Sequence, residues 1–291
     1  MSTVQQRSVL VTGVSSGIGQ AVAQGLLERG WHVFGSVRRT ADGDALVTRW
    51  GQGFEPLVFD VTDAAGIETA VHALQQRLAN GRLDALVNNA GISHSGPLLH
   101  QPLDELRAMF EVNVFGLLQV VRAFAPLLGA RRGAAGVPGR IVNIGSVSGA
   151  ITVPFLGGYS ASKHAVEAIG QALRRELSPY GVAVTTIEPG FIRSRMFEKS
   201  VQSESRYGDT DYATIWKRFN VSLRQRESAA QDPEVVVRAV VEALDAKRPR
   251  TRHPLDPLWR IGHLLPDRGF DRLIFKSLGI AELMHPPRSS S

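Results

Sequence analysis

A doubly wound α/β fold, a parallel sheet covered by helices on both faces, is what this sequence predicts. Three observations carry it. Short apolar runs alternate with helical stretches along most of the chain. Several of those runs end in small or polar residues, as strands bordering a ligand crevice do. The first run leads through a glycine turn into a helix. At 291 residues the chain exceeds the usual domain size, but doubly wound sheets grow this large around one core and no Ser/Gly-rich linker divides it. Residues 1–245 are therefore read as one domain, and 246–291 as a C-terminal helical extension packed on it.

The elements follow in order. Ser8-Val9-Leu10-Val11 stops at Thr12-Gly13-Val14-Ser15-Ser16-Gly17-Ile18-Gly19, and a helical pattern begins at Gln20. Glycines there let backbone approach a pyrophosphate, and the helix start offers unpaired N–H groups and the positive end of its dipole; Gly13, Gly17 and Gly19 are the expected contact positions. The second strand, Trp31 to Val37, is followed by Arg38 and Arg39. Pro56 to Phe59 ends in Asp60, which suits either a cofactor contact or a cap for a helix starting near Thr62. Leu83 to Val87 ends in Asn88-Asn89-Ala90-Gly91. A helical stretch from Leu103 to Leu128 carries Asn113 on an apolar face, and an exposed, mobile Gly/Ala/Arg loop is expected from Gly129 to Gly139. Ile141 to Gly145 ends in Ser146, where turn chemistry alone would also explain a serine. Tyr159 and Lys163 then lie one helical turn apart on one face. A phenol in water loses its proton near pH ~10, so a tyrosine acts as acid and base at neutral pH only beside a stabilising positive charge, which Lys163 is placed to supply.

Taken together, the motifs resemble those of the short-chain dehydrogenase/reductase family, single-domain Rossmann-like type, over residues 7–245. The resemblance implies that Asn113, Ser146, Tyr159 and Lys163 form a catalytic tetrad. Tyr159 would give a proton to a carbonyl oxygen held by Ser146, Lys163 would lower the phenol pKa and bind the nicotinamide ribose, and Asn113 would hold a water linking Lys163 to solvent. It places Ser15, Ser16, Ile18 and the three glycines around the cofactor phosphates, Asp60 and Val61 at the adenine, and Asn89, Ala90 and Gly91 beside the ribose. Pro189, Gly190, Ile192 and Ser194 complete that set, with Ser194 at the nicotinamide amide. Members preferring NAD usually end the second strand with an acidic residue; two arginines suit a phosphate instead. The expected cofactor is NADP(H), with Arg38 the main contact, Arg39 beside it and Ser15 a second contact.

The expected substrate is a lipophilic ketone or aldehyde and its alcohol, of the steroid, retinoid or aryl-ketone kind. The tail, with a Lys/Arg-Pro-rich strand, a Leu-Pro-Asp-Arg turn and a last amphipathic helix, is similar to that of relatives acting on such alcohols. Candidate substrate contacts are Ser146, Val153, Phe155, Tyr159, Phe191 and Met196, with a lid from Phe191 to Arg226 and a polar, exposed stretch from Ser200 to Thr210. The tail is read as a helix pair, Leu258–Leu265 and Phe270–Leu278, folded over the cleft or against a partner subunit. The family's usual dimer face, Leu103–Leu128 and Gly158–Leu177, implies a homodimer.

With 0 Cys, disulfides and thiolate metal sites are excluded, and no His/Asp/Glu cluster has metal-ligand spacing. A polar start, Met1 to Arg7, and no apolar run long enough to span a bilayer lead to the expectation of a cytoplasmic protein. The net charge of +6 is spread along the chain without a nucleic-acid module, so no nucleic-acid partner is expected. Its densest part, Lys247 to His253, precedes a Trp-bearing apolar stretch and leaves peripheral membrane contact open. Two rival readings stand beside the enzyme: a noncatalytic NADP(H)-binding sensor or scaffold, and a membrane-surface lipid-binding protein.

Overall fold

The computed structural model describes residues 6–78, 80–194, 204–257 and 265–284. Seven parallel strands form one sheet: β1 (Ser8–Val11), β2 (His32–Val37), β3 (Phe54–Val58), β4 (Ala85–Asn88), β5 (Arg140–Ile144), β6 (Ala183–Glu188) and β7 (Arg252–Pro254). Their order, β3-β2-β1-β4-β5-β6-β7, runs outward in both directions from β1. The reversal between β1 and β4 opens a crevice at the strands' carboxyl ends.

Alternation in β1 shows how the strands serve two cores. Val9 and Val11 face a cluster with Val33, Val87, Val142 and Ile187, closed by α1 (Gly17–Leu27) and α8 (Glu234–Asp245). Leu10 faces the opposite way, with Phe34, Leu86 and Ile141, under α3 (Ala64–Arg77), α5 (Leu117–Phe124) and α6 (Gly157–Glu176). Both faces are covered, so the strands read as continuous apolar runs. Pro56 lies inside β3, where the missing N–H is tolerated because β3 pairs only with β2 and forms a sheet edge. It packs against α2 (Thr40–Trp50) at Gly43.

The stretch Leu103–Leu128 is one continuous rod of changing pitch: α4 (Leu103–Phe110), a π turn (Glu111–Gly116), α5 and a 3-10 turn (Ala125–Leu128). Its 26 residues are long and apolar enough to cross a membrane, which corrects the expectation that no such run exists; here half of the span is buried against the fold. The helix expected near Thr62 starts at Ala64 and is capped by Asp63, whose side chain accepts from Ala65 N. The 129–139 loop is exposed over most of its length and is held by Arg82, which donates to the Ala135 and Val137 carbonyls.

A third apolar cluster lies beyond the sheet, where α7 (Ala213–Ser228) supplies Trp216, Phe219 and Leu223 and α9 (Asp267–Ser277) supplies Ile274. Trp216, Phe219 and Leu223 stack because helical spacing puts them on one face. The described end of the stretch expected to be exposed, Ser200–Thr210, is exposed at Ser205, Gly208 and Asp209 but buries Tyr207. Glu204–Tyr207 is a 3-10 turn whose Tyr207 is 4% exposed, edge-on to Trp216 at 4.9 Å. The first of the two expected tail helices, Leu258–Leu265, falls almost wholly outside the described residues; the second is α9. The basic run that suggested a membrane surface enters the sheet as β7, with Arg252 ion-paired to Glu167 at 2.9 Å.

Leu86 is fully buried at the centre of the sheet, so Leu86→Ala should destabilise the fold by about 2–5 kcal/mol. Urea unfolding followed by circular dichroism would register a lower midpoint at an unchanged slope.

Candidate active site

The glycine turn is braced before any ligand is considered. Gly13 and Gly17 take φ of +72° and +61°, the left-handed region that disfavours side chains. Asn89 Nδ2 donates to the Thr12 and Gly13 carbonyls at 2.9 and 3.2 Å, and Thr12 Oγ1 accepts from the N–H groups of Asn89 and Ala90. The turn after β1 is thus tied to the end of β4. Gly19 does not reach the cleft: a Cβ there would run into the Gly13 carbonyl and Asn89 Nδ2, so its place is helix-to-turn packing rather than the expected ligand contact. Ser16 precedes α1 without capping it, and Gly17 and Ile18 at the start of α1 line the cleft.

The cleft measures about 320 Å³. Gly13, Ser15, Ser16, Gly17 and Ile18 of the glycine turn line it, as do Arg38, Asp60 and Val61 from just beyond the ends of β2 and β3. Asn89, Ala90, Gly91, Pro189, Gly190, Ile192 and Ser194 also line it, together with Ser146, Tyr159 and Lys163. Arg39 stands apart. Its guanidinium pairs with Asp42 at 2.6 Å and is mostly exposed, so the structure brings Arg38 to the cleft and leaves Arg39 outside. Asp60 lines the cleft and does not cap the helix, a role taken by Asp63; its Oδ1 instead accepts from Thr62 N and Oγ1 at 2.9 and 2.8 Å.

Asn113 sits in the π turn, behind the cleft rather than in it, 2% exposed. The extra residue of a π turn shifts register and points this amide at the loop after β4. Its Oδ1 accepts from Ile92 N at 2.8 Å, and its Nδ2 donates to Ile92 O and Ser162 Oγ at 2.9 and 3.0 Å. Ser162 in turn donates to the Tyr159 carbonyl at 2.7 Å. Both amide hydrogens are committed, to the Ile92 carbonyl and to Ser162. It braces the helix that carries Tyr159.

Tyr159 and Lys163 are buried on α6, and Lys163 Nζ donates to the Ile144 carbonyl at the end of β5, 2.9 Å away. The ammonium lies 5.8 Å from the Tyr159 ring centre. Burial dominates both groups. Tyr159 is pushed up to about 12, with its hydrogen bond to Ser146 pulling the other way. Lys163 is pushed down to about 8, against the raising influence of Glu167. The phenol is therefore raised by burial, with Ser146 and not Lys163 as the opposing influence. The result is a protonated phenol at neutral pH, which is the form a proton donor needs.

A second, apolar cavity of about 50 Å³ adjoins the first, and Ser146, Tyr159 and Gly190 line both. Val153 and Leu156 come from the segment after Ser146, Phe219 and Leu223 from α7, and Ile274 and Leu278 from α9 and its end. Phe191, Arg226 and Asp256 line it as well, so two charged side chains border the apolar wall. Phe155 does not line it. Its φ of +67° turns it back into the aromatic cluster, with its ring 5.7 Å from Trp216 and 5.1 Å from Phe219, and that packing sustains a strained backbone. Met196 lies outside the described residues. Sequence reasoning placed the 191–226 lid and the last helix near the cleft but named none of Phe219, Leu223, Ile274 and Leu278 as a contact, although the spacing Trp216–Phe219–Leu223 marks an apolar helix face.

The sequence matches the family model for short chain dehydrogenases over residues 7–205. It is 40% identical over 276 residues to an NADPH-dependent 3-dehydrocapnine reductase of Ornithobacterium rhinotracheale, covering 94% of this chain and 97% of that one. Retinol dehydrogenase 16 of Rattus norvegicus is 33% identical over 268 residues, with 87% and 81% covered. The crystal structure of a short-chain dehydrogenase from Streptomyces avermitilis superposes with a TM-score of 0.74 at 28% identity, over 98% of this chain and 100% of that one.

Replacing Asn113 by Ala would strand the N–H and carbonyl of Ile92, and a loss of about 1–3 kcal/mol in unfolding free energy is expected. Chemical denaturation of the variant against the wild type measures it.

Proposed function

The chain belongs to the short-chain dehydrogenase family, and on that premise we propose that it reduces a lipophilic ketone or aldehyde to its alcohol with NADP(H), through Asn113, Ser146, Tyr159 and Lys163. It is an oxidoreductase acting on carbonyl and alcohol groups. The observation that carries the finer reading is the shared lining: Ser146 and Tyr159 stand where the nucleotide-sized cleft meets the apolar cavity. A carbonyl entering from the apolar side arrives beside both hydroxyls.

The cleft fits a dinucleotide phosphate. The left-handed glycines 13 and 17 leave the turn without side chains, the start of α1 faces it, and Arg38 lies at the end of β2 where a 2′-phosphate would be met. When bound, NADP(H) supplies or accepts the hydride. The chain's residues handle the proton and the charge. As negative charge grows on the substrate oxygen, the Tyr159 phenol donates its proton and the Ser146 hydroxyl donates a hydrogen bond to the same atom. Lys163, cationic below about pH 8, steadies the phenolate left behind. Asn113 keeps Tyr159 in place through Ser162.

The buried phenol is protonated at neutral pH, the form that the reduction step consumes. The name of the 40%-identical relative, an NADPH-dependent reductase, supports the same direction and cofactor, and that of the retinol dehydrogenase supports a lipophilic substrate such as a retinoid. Steroid and aryl ketones suit the same apolar wall. In this reading residues 1–245 form the catalytic domain and 246–291 roof the substrate cavity through α9. Phe115, 50% exposed on the rod that carries the π turn, supports a homodimer formed on that rod and α6.

Tyr159→Phe should lower NADPH-dependent turnover by about 10²–10⁴-fold while NADPH affinity stays near wild type, as read by absorbance kinetics and nucleotide fluorescence. Undiminished turnover would remove Tyr159 from the mechanism. Arg38→Asp should move the preference from NADPH toward NADH by about 10–100-fold in kcat/KM, and an unchanged ratio would discard Arg38 as the phosphate contact. In wild type, reduction should hold through neutral pH and fall as pH rises through about 8, because Lys163 loses its charge there, well before Tyr159 ionises near 12.

A further inference from the structure

Tyr159, Lys163 and Glu167 follow one another at four-residue spacing, so three buried polar side chains stack along one face of α6. The first two line the cleft. Glu167 lines neither of these two cavities, yet it is 3% exposed and follows Lys163 by one turn of α6. A carboxylate this deep stays ionised only beside compensating cations. Arg252 of β7 provides one, donating from Nε and Nη2 to Glu167 Oε2 at 3.1 and 2.9 Å. The same guanidinium is 3.6 Å from Glu188 Oε1 at the end of β6. Lys163, one turn back on α6, is the second cation, and Glu167 is the neighbour that raises its proton affinity against burial.

The carboxylate also touches the serine-bearing turn. A Cβ on Gly145 would lie 3.2 Å from Glu167 Oε1, and one on Gly149 would lie 3.2 Å from its Cγ. Those two glycines flank Ser146, so the turn is packed directly on Glu167. Around Lys163 the charged and titratable groups are Tyr159 and Glu167 from α6, with Arg252 of β7 and Glu188 of β6 one step further out. β5 presents the Ile144 carbonyl, and the π turn meets α6 through the neutral Asn113–Ser162 pair.

We propose that Glu167 is a positioning residue for the reaction, holding the positive charge on Lys163 and seating the turn that carries Ser146, an inference that rests on the catalytic reading of those two residues above. Arg252 ties this function to the last strand of the sheet.

The test is Glu167→Gln, which keeps the shape and removes the charge. The alkaline limb of the pH–turnover profile for NADPH-dependent reduction should move down by about one unit, with activity at pH 8 lowered about fivefold and activity at pH 6 little changed. Glu167→Asp, which retains the charge, should restore part of that shift. A side-chain ¹⁵N-lysine NMR titration, with the Lys163 signal assigned by its loss in Lys163→Arg, should show the same downward move without relying on turnover. A wild type that reduces carbonyls but whose limb and Lys163 midpoint are unmoved in Glu167→Gln would overturn this inference alone. A wild type without carbonyl reduction would overturn the functional reading instead, and the NMR titration would still decide the role of Glu167. Should the variant not fold, the wild-type titration decides, since a Lys163 midpoint below pH ~7 contradicts a lysine held charged by its neighbour.

Discussion

The close approach of α6 to the carboxyl end of the sheet is the constraint on which the rest depends. Backbone and side chain meet there with no room for a methyl group: a Cβ on Gly149 would sit 2.9 Å from the Lys163 carbonyl, and one on Gly170 would sit 2.9 Å from Thr186 Oγ1. That closeness buries Tyr159, Lys163 and Glu167 together and lets Lys163 reach the Ile144 carbonyl. It also places the Ser146 turn against the helix. Had the helix stood a side chain further out, the phenol and ammonium would be solvated and their protonation would follow ordinary water values.

Desolvation then decides the chemistry. Both titratable groups are pushed toward their neutral forms, the phenol up and the ammonium down, and the opposing influences are specific: Ser146 on Tyr159 and Glu167 on Lys163. A charge pair in water would have been ordered by mutual attraction alone. Neutral Asn113 adds rigidity without charge, since its amide is spent on Ile92 and Ser162.

The apolar half of the site has a different origin. Its walls come from segments far apart in sequence, the strap after Ser146, α7 and α9, and they converge through an aromatic cluster centred on Trp216 and Phe219. Packing there is strong enough to hold Phe155 at a positive φ. The hydride-transfer end is therefore built from the sheet, and the substrate end from helices laid over it.

Several features were legible from residues alone because their signals are local. A glycine turn after an apolar strand, small or polar residues ending β4 and β5, and a tyrosine four before a lysine on a helix determine the fold class and the membership of the cleft. The basic Arg38 after β2 was equally readable. Tertiary structure alone decided what depends on register and burial. It set Arg39 aside on Asp42, moved Gly19 from ligand contact to packing, and turned Asn113 into a brace through a π turn that no apolar periodicity announces. It also joined Arg252 to Glu167 across 85 residues and reversed the expected direction of the Tyr159 shift. The physical reason is common to all five: sequence spacing orders neighbours within one element, whereas solvent exclusion and pairing between elements exist only once the chain has closed on itself.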